Sequence, residues 1–281
     1  MSFAVRNFYP IRKAFRLSPL VMALALISPF HANAAEQSEK IGQSENIATQ
    51  THRFHRDHIL GTSLDVVVQG ASKQEAKRAV DAIQKEISQL DQILSTWRDD
   101  SEISALNNNK QGKVSAELFE VIAACENWRD KTCGAFDARL GQLITLWEQS
   151  HGVVKLDETT RAQVLNQLKA DSVKLDAEQH SIAMDDAVKF APDAYAKGYI
   201  IDRALVAARQ AVPSIEGLLV DIGGDIRVWG NAPQKEGWKI GVQDAFDHSD
   251  NSAPQQVLSL KDQAIAFSGQ GYRNLAGQTH L

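Results

Sequence analysis

A lysine and a glycine stand together near the predicted start of a helix, where they could bind an anion. Asp193 is the predicted N-cap, and apolar residues recur after it at helical spacing. Gly198 then falls in the first turns, where glycine costs roughly 1 kcal/mol relative to alanine unless it lets a ligand approach the backbone. Lys197 adds a cation to the unpaired N–H groups of a helix N-terminus. The pair indicates a nucleotide site, and for this helix alone a surface lysine beside a packing glycine remains the alternative.

A glycine pair follows this helix between two short apolar runs. Residues 218–221 and 226–229 are predicted strands, and the sequence Asp-Ile-Gly-Gly-Asp at 221–225 is predicted to form the tight turn between them. These residues favour the nucleotide site over the surface-lysine interpretation.

The segment from Asp193 to Gly230 resembles the ApbE family, the FAD:protein FMN transferases, whose members carry an AKGY-D helix followed by a strand and a G-G-D-I turn. Four further segments match the family in the same order: Leu60-Gly61-Thr62, LSTWRDDSEISALN at 94–107, CGAFDARLGQLITLW at 133–147 and FSGQGYRN at 267–274. The resemblance extends from about residue 54 to the last residue, and it rests on the five motifs together.

The resemblance implies phosphoryl transfer. In this family FAD is cleaved at its pyrophosphate, FMN is joined through its phosphate to a threonine or serine hydroxyl of a partner protein, and AMP leaves. Mg²⁺ is the implied metal, since such a reaction requires neutralisation of the phosphate charge. Two other functions stay open. They are FAD binding without turnover, and an FAD pyrophosphatase in which water replaces the hydroxyl.

The resemblance also implies roles for individual residues. Lys197 would face the phosphates, and the Ala194 carbonyl would bind the metal. Trp97 would stack on the isoalloxazine, for which an indole is a suitable partner. Leu60 replaces the family's usual methionine and keeps an apolar contact with FAD.

Three consecutive residues, Ala135, Phe136 and Asp137, match the family's A-F-D contact with the flavin. Phe136 could equally be a core residue, and Asp137 could be a helix cap. Ala191-Pro192-Asp193 departs from the family's usual run ahead of the lysine, so we expect one acidic FAD contact to be missing or moved to Asp193.

His280 would be the catalytic base. In relatives this histidine opens a His-x-x-Asp-Pro-x-Thr-Gly motif, and further Asp and Thr metal ligands follow it. Because the sequence ends at Leu281, the resemblance implies an ApbE-like domain that is C-terminally incomplete here.

The first 34 residues have the pattern of an export signal. Four basic residues precede a short apolar run at 20–27 and the small-residue site Ala32-Asn33-Ala34. The run is too short to span a bilayer, and no cysteine near the site could carry a lipid. We therefore expect a periplasmic protein with a cleaved signal peptide and no transmembrane span in the mature chain.

Composition limits the partners. The formal net charge is −5, and it becomes −9 once the four basic residues of the signal are removed. An acidic chain of this kind is not expected to bind nucleic acid.

The rest of the chain predicts a polar linker at 35–53 and a single ApbE-like domain at 54–281. Ser63–Gln69 alternates like a strand, and Ser72 with Glu75 predicts a capping box at the start of a long helix. Further helices are predicted at Ser115, with Trp128 on the apolar face, and at Thr160. Further strands are predicted at 172–175, 181–184, 238–242, 257–260 and 264–267. Helices mixed with hairpin-like strand pairs predict an α+β fold with a largely antiparallel sheet.

Two groups of side chains leave alternatives open. His52, His55 and His58 are spaced for a metal but lack a carboxylate or cysteine partner at a standard spacing. Cys125 and Cys133 could form a disulfide in an oxidising compartment, and a free cysteine on a helix face is the alternative.

Overall fold

The computed structural model describes residues 50–149, 158–168, 172–242 and 253–267. All of them belong to one compact unit, Ile47–Leu281. The predicted signal peptide, nearly all of the predicted linker and His280 lie outside the described residues. In chain order the elements are β1 (Thr51–Ile59), β2 (Thr62–Gln69), α1 (Lys73–Leu94), α2 (Glu102–Asn109), β3 (Gln111–Lys113), α3 (Ala116–Lys131), α4 (Gly141–Gln149), α5 (Glu158–Gln167), β4 (Val173–Asp176), β5 (Ser181–Met184), α6 (Asp193–Ala211), β6 (Gly217–Ile222), β7 (Asp225–Gly230), β8 (Trp238–Val242), β9 (Gln256–Leu260) and β10 (Ala264–Ala266).

The main sheet has five strands in the order β1-β2-β6-β7-β10, and every neighbouring pair is antiparallel. A three-stranded sheet (β3-β5-β4) and a two-stranded sheet (β8-β9) are also antiparallel. The α+β fold with a largely antiparallel sheet is therefore confirmed.

Helices α1 and α6 pack together on one face of the main sheet. The strand residues Leu64, Val66 and Val68 alternate toward this face and are buried, as the period of two predicts. Helix α1 begins at the predicted capping box, in which the Ser72 hydroxyl accepts from the Glu75 N–H and the Glu75 carboxylate accepts from the Ser72 N–H. The opposite sheet face buries a smaller cluster: Val67, Ile226, Val228, Trp238 and Ile240.

The structure corrects several local predictions. Strand β1 was not predicted, because its mostly polar sequence lacks the apolar alternation of a buried strand. It begins at Thr51, inside the predicted linker. Helix α6 is preceded by Pro192 as N-cap, so Asp193 is its first helical residue. Thr160 lies within α5 rather than at its start. Trp128 is 47% exposed, so it does not belong to the buried face of α3.

Among the helices that the structure describes, none is both long and apolar enough to cross a membrane.

Candidate functional site

The first turns of α6 lie against the turn between β6 and β7. The Lys197 ammonium is 3.2 Å from an Asp225 carboxylate oxygen, and both side chains are only partly exposed. Asp225 is the first residue of β7 and directly follows the glycine pair. Folding therefore joins the two motifs that the sequence presents separately.

The glycine pair is required by the backbone and by a close neighbour. Gly223 and Gly224 have φ values of 58° and 92°, in the left-handed region that favours glycine. A Cβ atom at Gly223 would lie 2.6 Å from the Thr62 hydroxyl oxygen, so a larger residue would displace this side chain. The turn is further held by Asp221, whose carboxylate accepts from the Gly224 N–H at 2.8 Å.

The contact with Thr62 places the Leu60–Gly61 turn beside the glycine pair. Leu60 itself has a φ of 50° and packs, partly buried, against the main core. Phe267 contacts the glycine-pair turn through its N–H, which donates to the Gly224 carbonyl at 3.3 Å. The rest of the 267–274 motif falls outside the described residues.

Trp97 lies just beyond the end of α1, close to the start of α6. The Thr96 hydroxyl is 3.4 Å from each carboxylate oxygen of Asp193 and so links the two segments. The Trp97 side chain is 75% exposed, so it is available for a ligand and contributes little to the core. Asp193 keeps contact with water, yet surrounding protein atoms remove part of its hydration and raise its pKa above the ordinary value.

The 135–137 segment belongs to the loop after α3, and this loop also contacts the entry to α6. The Ala138 carbonyl accepts from the Ala191 N–H at 2.8 Å. Phe136 packs, partly buried, against the main core, and its N–H donates to the Thr132 hydroxyl at 3.0 Å. The loop therefore lies near the helix start that bears Ala194 and Lys197.

The Asp137 carboxylate is engaged within the protein. One oxygen accepts from Arg129 Nε at 3.0 Å, and the other accepts from the Arg139 N–H at 2.9 Å. The Asp137 and Arg129 side chains are only 11% and 17% exposed. The observed contacts of Asp137 thus hold the loop, and contact with flavin at Asp137 stays a prediction.

The carboxylates of Asp225 and Asp221 both interact with the Lys197 cation. Burial raises the pKa of Asp221, and the nearby carboxylates of Asp65 and Asp225 raise it further. Lys197 opposes this shift. A phosphate group approaching the turn would therefore depend on Lys197 to offset repulsion from the aspartates.

The histidines of β1 do not converge on a metal. The His52 ring bonds the Ala71 carbonyl at 2.9 Å, whereas His55 bonds Asp65 at 2.8 Å and Asp57 at 3.2 Å. A spacing of three along a strand puts neighbouring histidines on opposite faces, which explains why they separate. Within the part of the chain that the structure describes, no group of three His, Cys, Asp or Glu side chains could hold a metal ion.

Both cysteines are free. Cys125 is buried in α3, and burial raises the pKa of its thiol to about 12. Cys133 is exposed at the start of the following loop. The alternative of a free cysteine on a helix face therefore applies to Cys125.

Sequence reasoning missed several residues that shape this region. The contacts of Lys197 with Asp225 and of Thr96 with Asp193 had no sequence signal, because each joins segments far apart in the chain. The contact of Arg129 with Asp137 was also not predicted. Asp225 belongs to the G-G-D-I motif, but its ion pair with Lys197 forms only in the folded protein.

Known proteins resemble this chain over most of its length. The ApbE family model matches residues 60–281. The FAD:protein FMN transferase of Vibrio cholerae serotype O1 is 28% identical over 229 residues, which cover 76% of this chain and 65% of the relative. The enzyme of the same name from Haemophilus influenzae is 25% identical over 212 residues, covering 71% of this chain and 59% of that protein. The chain thus spans less than two thirds of the length of these relatives.

Solved structures share the fold. The ApbE protein of Thermotoga maritima superposes with a TM-score of 0.69 at 26% identity, over 79% of this chain and 71% of that one. The flavin transferase ApbE from Vibrio cholerae superposes with a TM-score of 0.65 at 22% identity, over 82% of this chain and 75% of that one. At this second level of identity the likeness concerns the fold alone.

Proposed function

The chain belongs to the ApbE family, and we propose that it transfers FMN from FAD to a threonine or serine hydroxyl of an exported protein, releasing AMP. The observation that best supports the proposal is the contact of Lys197 with Asp225. This contact joins the AKGY-D helix to the glycine-pair turn, and the proximity of Thr62 to Gly223 adds the Leu60–Gly61 turn.

The reaction exchanges one bond to phosphorus for another. The acceptor hydroxyl oxygen attacks the phosphorus of the FMN half of FAD, the P–O bond to the AMP phosphate breaks, and a base takes the hydroxyl proton. Lys197 would bind the phosphates and offset their charge, since a positioned cation in a partly dry site stabilises charge that spreads during transfer. We assign the base to His280, which lies outside the described residues.

The flavin would be held between the end of α1 and the loop after α3. Trp97 offers an exposed indole for stacking on the isoalloxazine, while Leu60 and the Ala135–Phe136 edge supply apolar contacts. Asp137 would contact the flavin from this loop, which its carboxylate also holds by accepting from Arg129.

Magnesium fits the described residues only in part. The Ala194 carbonyl offers one oxygen of the kind that Mg²⁺ prefers, but the described side chains include no group of three that could complete a site. We therefore assign no step to the metal.

Export is part of the proposal. The basic start, the short apolar run and the Ala32-Asn33-Ala34 site support cleavage near Ala35 and a periplasmic mature protein. Mass spectrometry of the exported protein would test this, and a chain that keeps Met1 would contradict it.

The test of the activity is incubation of the purified protein with FAD, magnesium chloride and threonine-bearing exported proteins. We expect AMP together with protein that retains flavin fluorescence after denaturation. Lys197→Ala should reduce both products, whereas Lys77→Ala, which removes only an exposed ion pair with Asp81, should not. Free FMN with AMP would indicate a pyrophosphatase instead, and bound FAD without AMP would indicate a binding protein.

A further inference from the structure

The strand β1 is an exposed edge of the main sheet. It has nine residues, and within the described part of the chain it pairs only with β2. The side chains of Arg53, His55 and Arg56 are exposed. Such an edge can accept another extended strand unless it is blocked.

The backbone groups that could accept a strand can be identified from the pairing. The Gly70 N–H donates to the Gln50 carbonyl at 3.1 Å, which makes Gln50 and Gly70 a hydrogen-bonded pair in the register of β1 with β2. Because hydrogen-bonded pairs alternate along an antiparallel ladder, the N–H and C=O groups of Thr51, Arg53 and His55 point away from β2. The His55 carbonyl already accepts from the Arg56 guanidinium at 2.8 Å, so at His55 only the N–H is counted as available to a new strand. The register is regular from Thr51 to Arg56 and shifts between Arg56 and Ile59.

This edge is basic in an acidic protein. Residues 51–57 include two arginines and two histidines but one aspartate, whereas the whole chain has a net charge of −5. Asp57 and the neighbouring Asp65 on β2 both bond His55, so these carboxylates already have a partner. The same charge would repel the β1 of a second copy and would attract an acidic strand.

The edge also leads toward the proposed flavin site. β1 runs into the Leu60–Gly61 turn, and Thr62 at the end of that turn contacts the glycine-pair turn. A peptide lying along β1 would therefore extend from the basic edge toward the place where FMN is transferred.

We propose that the edge of β1, from Thr51 to Arg56, binds an extended acidic segment of the acceptor protein by adding it as a sixth strand to the sheet. The identity of the occupant as acceptor rests on the proposed function. Main-chain hydrogen bonds to Thr51, to Arg53 and to the His55 N–H supply the pairing, and Arg53 and Arg56 select for negative charge.

The test uses a fluorescent peptide in which pairs of glutamates alternate with pairs of threonines, so that an extended chain presents glutamates on both faces, as Arg53 and Arg56 require. A peptide of equal length with lysine in place of glutamate is the comparison. We expect binding of the first peptide only, and the binding should weaken as salt rises. The double variant Arg53→Glu/Arg56→Glu should lower affinity about tenfold. The matched control is Lys77→Glu/Arg161→Glu, which makes the same change in net charge at exposed helix positions and should have little effect.

Hydrogen exchange separates strand addition from general attraction. The amide hydrogens of Thr51, Arg53 and His55 should become protected when the peptide binds, because these point to the free edge. Equal losses in the two double variants, or bound peptide without this protection, would overturn the proposal. FAD titration of the same proteins tests the two proposals separately. The Arg53→Glu/Arg56→Glu variant should bind FAD normally. Failure of the unaltered protein to bind FAD would count against the proposed function.

Discussion

Lys197 of α6 and Asp225 of β7 form an ion pair at 3.2 Å, so the lysine assigned to the phosphates already has a carboxylate partner. A diphosphate must therefore compete with Asp225 for the ammonium. This relationship gives opposite expectations for the two residues.

Lys197→Ala should weaken FAD binding by about 1.5 kcal/mol or more while leaving riboflavin affinity nearly unchanged, because riboflavin has no phosphate. Asp225→Asn should instead strengthen FAD binding roughly twofold to fivefold, since it frees the lysine and removes a repelling charge. Calorimetric titrations with both ligands measure these effects. Equal losses of FAD and riboflavin affinity in Lys197→Ala would show that this lysine does not bind the phosphates.

Trp97→Ala should lower the affinity for flavin by about 1 kcal/mol, since an aromatic pair contributes roughly 0.5 to 1.5 kcal/mol beyond its buried area. The free energy of unfolding should change by less than about 0.5 kcal/mol, because the side chain is 75% exposed. Trp128→Ala, at another exposed tryptophan, is the control and should leave flavin binding unchanged. If both variants bind flavin like the unaltered protein, the stacking assignment is wrong.

Arg129→Met should reduce the free energy of unfolding by about 3 kcal/mol, because it leaves the largely buried Asp137 carboxylate without its ion-pair partner. Arg161→Met breaks only the exposed pair with Glu158 and should cost less than about 1 kcal/mol. Urea denaturation monitored by circular dichroism compares the two. Similar costs would mean that the Arg129 pair is as weak as a surface pair.

The folded protein should react with iodoacetamide at one cysteine per chain near pH 8. The thiolate is the reactive form, and burial raises the pKa of Cys125 to about 12, so this thiol stays protonated. Cys133 is exposed and should react. Mass spectrometry should find one label on the native chain and two in denaturant, and rapid double labelling of the native chain would show that Cys125 is accessible.

The pKa of His55 should lie above its ordinary value. Its hydrogen bond to Asp65, and next that to Asp57, raise the pKa. Protonated His55 is therefore favoured in the folded state, and its contribution to stability is present at low pH and is lost as the pH rises through the raised pKa. In an NMR titration, Asp65→Asn should move the His55 midpoint downward, and an unchanged midpoint would contradict the assigned bond.

The elements with local signals could be predicted from the sequence alone. The capping box of Ser72 and Glu75, the apolar stripe of α1 and the alternation of β2 depend on neighbours a few residues away, and they appear in the structure as predicted. The same holds for the glycine-pair turn, where left-handed backbone requires glycine at two successive positions. Strand β1 escaped prediction because an edge strand buries little and can keep a polar sequence.

Contacts between distant side chains depend on the packing of the whole domain. Nothing in the spacing of the chain could show that Lys197 pairs with Asp225, because this contact depends on how α6 packs against the sheet. The local sequence around Asp137 was compatible with a flavin contact or a helix cap. In the folded protein its carboxylate accepts from Arg129 and from the Arg139 N–H. Local propensity acts over a few residues, whereas an ion pair between distant segments exists only after the hydrophobic core has fixed their positions.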